Sequence, residues 1–234
     1  MDTLSKRQQD ILALVGESGF VTIEALADSF GVSAQTIRRE IIAMDNAGLL
    51  QRFHGGAGRA EGTSTLRLGH NYKAHLNREE KDLIAQKVAA LIAPGSSLYI
   101  DVGTTMEAAA IRLNKLEALT ILTNSMRVAA NFDHTQHAVH VLGGVVAGQD
   151  GSLVGEQAVL HLRDVRLDYA LIGCSGIEIS GNVMDFDQRK IAIKQAALGV
   201  AKHSYLLATA GKFERSAFAR ICHRDDVEAV ISSD

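Results

Sequence analysis

Apolar residues in the first third of the chain recur at helical spacing. Over 5–16, Ile11, Leu12 and Val15 fall on one stripe between polar residues, which predicts an amphipathic helix ending near Gly16 and Gly19. Thr22 is placed to cap a second helix carrying Ile23, Leu26, Ala27 and Phe30 at i, i+3, i+4 and i+7. Gly31-Val32-Ser33 then breaks the chain, and Ser33 can cap a third helix with Ile37, Ile41 and Met44 inward. Gly48 ends that helix, and 49–54 reads as a short β-hairpin. After a stretch rich in Gly, Ser and Thr (55–69), a helix is predicted over 78–93 with Leu83, Ile84, Val88, Leu91 and Ile92 inward, stopped by Pro94-Gly95. Short apolar runs follow at 98–102, 120–123, 139–142, 169–172, 205–208 and 229–231, with helices opening at Met106 and Met126. Continuous apolar strands between helices predict a largely parallel sheet covered on both faces. The expected division is a winged helix-turn-helix over 1–57, a linker over 58–77 and an α/β domain over 78–234.

The chemistry follows from what these elements leave outside. Gln35, Arg38 and Arg39 project from the N-terminal half of the third helix, the half that enters a major groove, where Arg pairs bidentately with guanine and Gln with adenine. Ser33 and Thr36 stand where hydroxyls and helix N-terminal amides meet phosphate, and Arg52 and His54 on the hairpin are within reach of flanking backbone. In the α/β domain, ligands sit beyond the carboxyl ends of the strands. Asp101-Val102-Gly103-Thr104-Thr105 runs from a strand into a helix, which suits a phosphate. Thr123-Asn124-Ser125 repeats the arrangement, and Gly143-Gly144, with Gly148, Gly151 and Gly155 after it, lets backbone approach a ligand.

Composition narrows the partners. A chain of 234 residues suits one small and one ordinary domain. No apolar run reaches membrane-span length and no leader opens the chain, so a cytoplasmic protein without membrane contact is expected. Cys174 and Cys222 stand in no metal or pairing spacing and read as reduced thiols; no metal, cofactor or catalytic residue is expected. A net charge of −3 gives no bulk support for nucleic-acid binding, so that expectation rests on the placement of Arg38, Arg39, Arg52 and Arg59.

The string from Val32 to Glu40, followed by Gly48-Leu49-Leu50-Gln51-Arg52-Phe53-His54-Gly55-Gly56-Ala57, resembles the signature of the DeoR family of sugar-metabolism regulators. The likeness extends through Ile100-Asp101-Val102-Gly103-Thr104-Thr105, Thr123-Asn124-Ser125, Gly143-Gly144 and the segment around Lys212-Phe213. It implies operator contacts from Ser33 to Arg39, and a wing closed by Arg52, His54 and Gly55. It also implies a sensor domain related in fold to ribose-5-phosphate isomerase. There Thr104, Thr105, Asn124 and Ser125 would hold a phosphate and Asp101 a sugar hydroxyl. Lys194 and Lys212 would be partners for anionic groups, with Gly103, Thr123, Gly176 and Asp185 on the same wall. The run from Leu167 to Asp187 resembles the branch responding to glycerol 3-phosphate; another sugar phosphate or a sulfonated sugar stays open.

Two departures from the family pattern stand out. A glutamate usual near Arg189-Lys190 and an aspartate usual near Thr209 are missing, which predicts a more cation-rich pocket. The family's domain generally runs past the equivalent of Asp234, so its closing elements are expected beyond this chain. An isomerase would need a carboxylate base over the substrate carbon; Asp101, Asp185 and Asp187 are the candidates, although Asp185 or Asp187 could equally cap the following helix. The reading is a regulator, expected to repress, acting as a homo-oligomer (dimer or tetramer) on double-stranded operator DNA.

Overall fold

A computed structural model describes residues 4–18, 20–53, 55–59, 76–147 and 150–233. His54, Gly148 and nearly all of the expected linker lie outside the described residues, as does the side chain of Arg59.

The N-terminal part is α1 (Lys6–Ser18), β1 (Phe20–Thr22), α2 (Ile23–Phe30), α3 (Ala34–Asn46), β2 (Leu50–Phe53) and β3 (Gly56–Arg59). Its core joins Ile11 and Val15 to Ile23, Leu26, Ile37, Ile41 and Met44, from the stripes the spacing predicts, and adds Leu50 of the hairpin. Thr22 caps α2 by accepting from the Ala25 amide, and Gly31 ends it in a left-handed conformation. Ser33 caps α3, accepting from the Thr36 amide. The hairpin β2–β3 is present, but β3 also pairs with β1, three residues between two helices that the helical stripes conceal.

The rest of the chain is built on six parallel strands in the order β14-β12-β9-β4-β5-β6: β4 (Ser97–Ile100), β5 (Thr120–Thr123), β6 (Ala138–Val141), β9 (Leu167–Ile172), β12 (Ala201–Leu207) and β14 (Ala229–Ile231). Alternate residues of β4 serve opposite cores. Leu98 and Ile100 pack with α4 (Arg78–Ala89) and α5 (Thr104–Leu113); Tyr99 faces the cluster formed by α7 (Glu156–Arg163) and α8 (Gln188–Leu198). A single turn, α6 (Met126–Ala129), follows β5. Burial on both faces is why these strands read as unbroken apolar runs.

Two expectations on α4 need correction: Leu83 and Leu91 are exposed, and the helix ends at Ala89. Ile84, Ala85 and Val88 form the buried stripe, helped by a two-pronged Arg112–Asp82 ion pair to α5 at 2.5 Å. Two further pieces were not anticipated. One is the hairpin β7 (Val145–Ala147) and β8 (Ser152–Val154). The other is an antiparallel sheet in the order β10-β11-β13, from Gly176–Ile177, Asn182–Asp185 and Ala219–His223. This second sheet is made from the chain leaving β9 and β12, so it stands at the carboxyl ends of the parallel strands.

Candidate nucleic-acid interface and anion site

On α3 the inward face is closed and the outward face is open. Ile37, Ile41 and Met44 are buried, whereas Ser33, Gln35, Arg38 and Arg39 are exposed and Thr36 is half-buried. Among the described residues neither Arg38 nor Arg39 is ion-paired. The helix is pinned from its flanks: Arg7 of α1 grips Glu40 with bonds of 2.6 and 2.9 Å, and Asp45 accepts from the Arg52 amide of the wing at 3.2 Å. Ser33 and Thr36 hydroxyls lie 2.9 Å apart, so both sit at the helix entrance. Arg52 is exposed on β2. Gly55 lies in the wing turn with φ 87°, and a Cβ there would stand 2.3 Å from the Phe218 ring. The chain closes at Gly55 because only glycine combines that backbone with that approach.

At the strand ends, β4 runs into Asp101, then Gly103 (φ 121°), then α5, whose N-terminus has no side-chain cap. The first amides of α5, beside the half-exposed Thr104 and Thr105, therefore have no helical or capping acceptor and favour an anion. Thr123 ends β5, Asn124 and Ser125 follow it, and all three are buried. Thr123 Oγ1 accepts from the Ser125 amide, and Ser125 Oγ accepts from the Val128 amide. Asn124 donates to the Leu153 carbonyl and accepts from the Tyr99 hydroxyl at 2.9 Å. These side chains first hold the loop; the Ser125 hydroxyl keeps a proton to donate.

A buried polar chain lies behind the loops. Lys194 Nζ donates to Asp101 and, at 2.9 Å, to the Gly173 carbonyl, and stands 3.3 Å from Asp185. Asp101 also accepts from the Gly173 amide, and its other oxygen lies 3.3 Å from the Tyr99 hydroxyl, whose single proton goes to the nearer Asn124 oxygen. Asp185 accepts from Ser175 Oγ at 2.7 Å and from the Phe186 amide at 2.8 Å. Burial by itself would lower the Lys194 pKa; attraction to Asp101, then to Asp185, overrides it and holds the pKa above its ordinary value. Burial, reinforced by Asp101, pushes the Tyr99 phenol well above its usual range. Lys194 is thus charged and already shared by two carboxylates. That revises the picture of an independent cation: Lys194 is not free of Asp101 and Asp185.

The expected cation excess is likewise offset. Arg189 pairs with Asp187 at 2.8 Å and Lys190 with Asp150 at 2.5 Å. Near Thr209, where an acid was missed, Glu80 of α4 accepts from the Ala210 amide. Asp187 caps α8 through the Arg189 amide, whereas Asp185 does not cap it. Lys212 is half-buried in the 3-10 turn Ala210–Lys212. Gly143 and Gly144 are exposed, but the close approach at Gly144 is to β8, since a Cβ would fall 2.6 Å from the Val154 carbonyl. Gly176 similarly accommodates the Arg215 carbonyl. Both thiols are free; burial pushes Cys174 up to about 12 and Cys222 to about 11.

The bond from the Ala210 amide to Glu80 carried no sequence signal, and Asp101, Asp185 and Lys194 were named as site residues without their pairing, since the partners lie 130 and 93 residues apart. Tyr99 was visible only as a core residue.

Comparison with known proteins supplies the family. The DeoR-like helix-turn-helix domain matches residues 7–63 and the DeoR C-terminal sensor domain matches residues 76–234. The chain is 35% identical to the glycerol-3-phosphate regulon repressor of Haemophilus influenzae, over 98% of this chain and 89% of that one. It is 34% identical to the HTH-type transcriptional repressor CsqR of Escherichia coli, over 99% and 88%. Among solved structures, ribose 5-phosphate isomerase A of Methanocaldococcus jannaschii aligns over 58% of this chain and 55% of that one, with TM-score 0.43 and 12% identity. With both domains matched and the curated relatives aligned nearly end to end, the chain belongs to the DeoR family of helix-turn-helix transcription regulators.

Proposed function

We propose that this chain is a DNA-binding repressor of a carbohydrate or polyol catabolic operon whose operator affinity is set by a small phosphorylated metabolite, with glycerol 3-phosphate the first candidate. The observation carrying it is α3: a helix fixed on its inner face and both flanks, with Gln35, Arg38 and Arg39 exposed and no acid neutralising the two arginines among the described residues. The uncapped start of α5 at Gly103-Thr104-Thr105 supports the effector half, because free amides at a positive helix end favour phosphate. Thr104, Thr105 and Ser125 are the residues assigned to that group, with Lys212 as a further candidate for an anionic group. Another sugar phosphate or a sulfonated sugar fits the same chemistry.

A cytoplasmic homo-oligomer, dimer or tetramer, belongs to this reading, since two readers engage repeated half-sites. An isomerase-type activity is less well supported: Asp101 and Asp185 both share Lys194, so neither is a free base. The test selects a binding duplex from a random library, then titrates it with and without glycerol 3-phosphate. Specific binding weakened by the metabolite is the expected result. Absence of any specific duplex overturns the DNA half, and an affinity unmoved by glycerol 3-phosphate, fructose 6-phosphate and inorganic phosphate overturns the effector half.

A further inference from the structure

Four phenylalanines join the reader to the sensor domain. Phe53 of the wing stacks on Phe186 with ring centroids 3.6 Å apart and planes within 8°. Phe20 of β1 meets Phe186 edge-on at 5.7 Å and Phe218 at 6.3 Å, and also touches Phe53 at 5.9 Å. Phe20 and Phe53 belong to the reader; Phe186 and Phe218 flank β11 and β13 of the small sheet. Gly55, in the wing turn, is pressed on the Phe218 ring. None of the four rings lies in any of the three core clusters, although Phe20 also packs over Gly56 of β3 within the reader.

Phe186 stands between two anchored carboxylates. Asp185 accepts from the Phe186 amide, from Ser175 Oγ and lies against Lys194, which holds Asp101 and the Gly173 carbonyl at the strand ends. Asp187 caps α8. The ring is therefore one residue from the polar chain behind the candidate anion site and in direct contact with the strand that carries Arg52. We propose that this aromatic seam is the joint through which occupancy of the anion site changes DNA affinity, and that Phe186 is its moving part. The inference rests on the anion-gated reading above and names the residues that perform the gating.

The physical reason is a competition. An anion bound at the strand ends faces the carboxylates of Asp101 and Asp185 and competes with them for Lys194, so the Asp185–Phe186 backbone shifts. A flat stack loses much of its contact over an ångström, so a small shift opens or closes the seam rather than bending it. Because the wing turn rests on Phe218 and Phe53 on Phe186, and the wing is clamped to α3 through Asp45 and Leu50, the reader is reoriented as one body relative to the sensor.

The test compares wild type with Phe186→Ala, Phe218→Ala and Phe186→Tyr. Titration calorimetry measures glycerol 3-phosphate binding, and anisotropy of the selected duplex measures DNA affinity with and without it. Wild type is expected to show a metabolite-dependent change of about fivefold or more. Phe186→Ala and Phe218→Ala are expected to bind metabolite and duplex separately within about threefold of wild type, yet to lose the dependence of one on the other; Phe186→Tyr, which keeps the ring, retains it. Retained coupling in both alanine variants overturns the joint and leaves the anion-gated reading standing. Duplex affinity in wild type unmoved by the three phosphates overturns that reading and the joint together.

Discussion

Lys194 on α8 and Asp101 at the end of β4 form an ion pair in which both side chains are almost fully buried, at 2% and 1% exposure. Removing the ammonium leaves Asp101 and Asp185 without the cation they share, with only neutral donors from Gly173, Ser175 and the Phe186 amide. Lys194→Ala is therefore expected to cost about 3–5 kcal/mol, read as a lowered midpoint in urea unfolding. Lys194→Met combined with Asp101→Asn removes one of the two stranded charges, the more deeply buried one, and should recover part of the loss. A single variant as stable as wild type would show that the pair contributes nothing to folding.

Arg38→Ala takes away an exposed side chain and no core contact. It is expected to weaken the selected duplex by about 1–3 kcal/mol with the melting temperature unchanged. Arg52→Ala, on the wing, should instead weaken all duplexes alike and reduce the slope of log affinity against log salt by about one. Equal losses on selected and random duplexes for Arg38→Ala would reassign it to backbone contact.

How much of this was legible in the sequence differs between its halves. In the reader, Ile37, Ile41 and Met44 lie one helical turn apart and Ser33 caps its own helix, so local spacing was sufficient. The parallel strands were legible because both faces are covered, leaving apolar runs. The small sheet was not, because its strands are two to five residues long and its register joins Asn182 to His223. Asp101, Asp185 and Lys194 were picked out singly, but pairing across 93 residues leaves no periodic trace. Leu83 misled because it borders the apolar stripe of α4 on its exposed side, and Leu91 because it continues the spacing past the end of the helix at Ala89.

Stability should fall at both ends of the pH scale. Asp187 is held below its ordinary 3.8 by the side-chain bond from Arg189; for Asp150, burial acts upward and the bond from Lys190 overcomes it. Those contributions are present above pH 3.8 and vanish as pH drops through the lower folded values. Cys174 and Cys222, raised from 9.0 to about 12 and about 11, give stability that is complete below pH 9 and lost as pH rises toward the folded values. Tyr99 and Lys194 add to the alkaline loss above 10.0 and 10.5. Melting temperature followed from pH 3 to 11 checks this, and replacing both cysteines by alanine should move the alkaline onset up by about one unit. Native protein should also react slowly with a thiol reagent at pH 8.

Gly55→Ala adds a methyl where the backbone is left-handed and the Phe218 ring already occupies the space. A cost of about 1–2 kcal/mol is expected from the backbone alone, with Phe218 displaced; a crystal structure with the ring unmoved would contradict the packing described.

The clamped α3 has an implication for how the protein can change. Since Arg7–Glu40 and Asp45–Arg52 fix the helix from its flanks and its apolar residues point away from the groove, Gln35, Arg38 and Arg39 can be exchanged at little cost to folding. A lineage can therefore acquire a new target sequence through two or three solvent-facing substitutions, with no compensating repair in the interior and with metabolite sensing left intact.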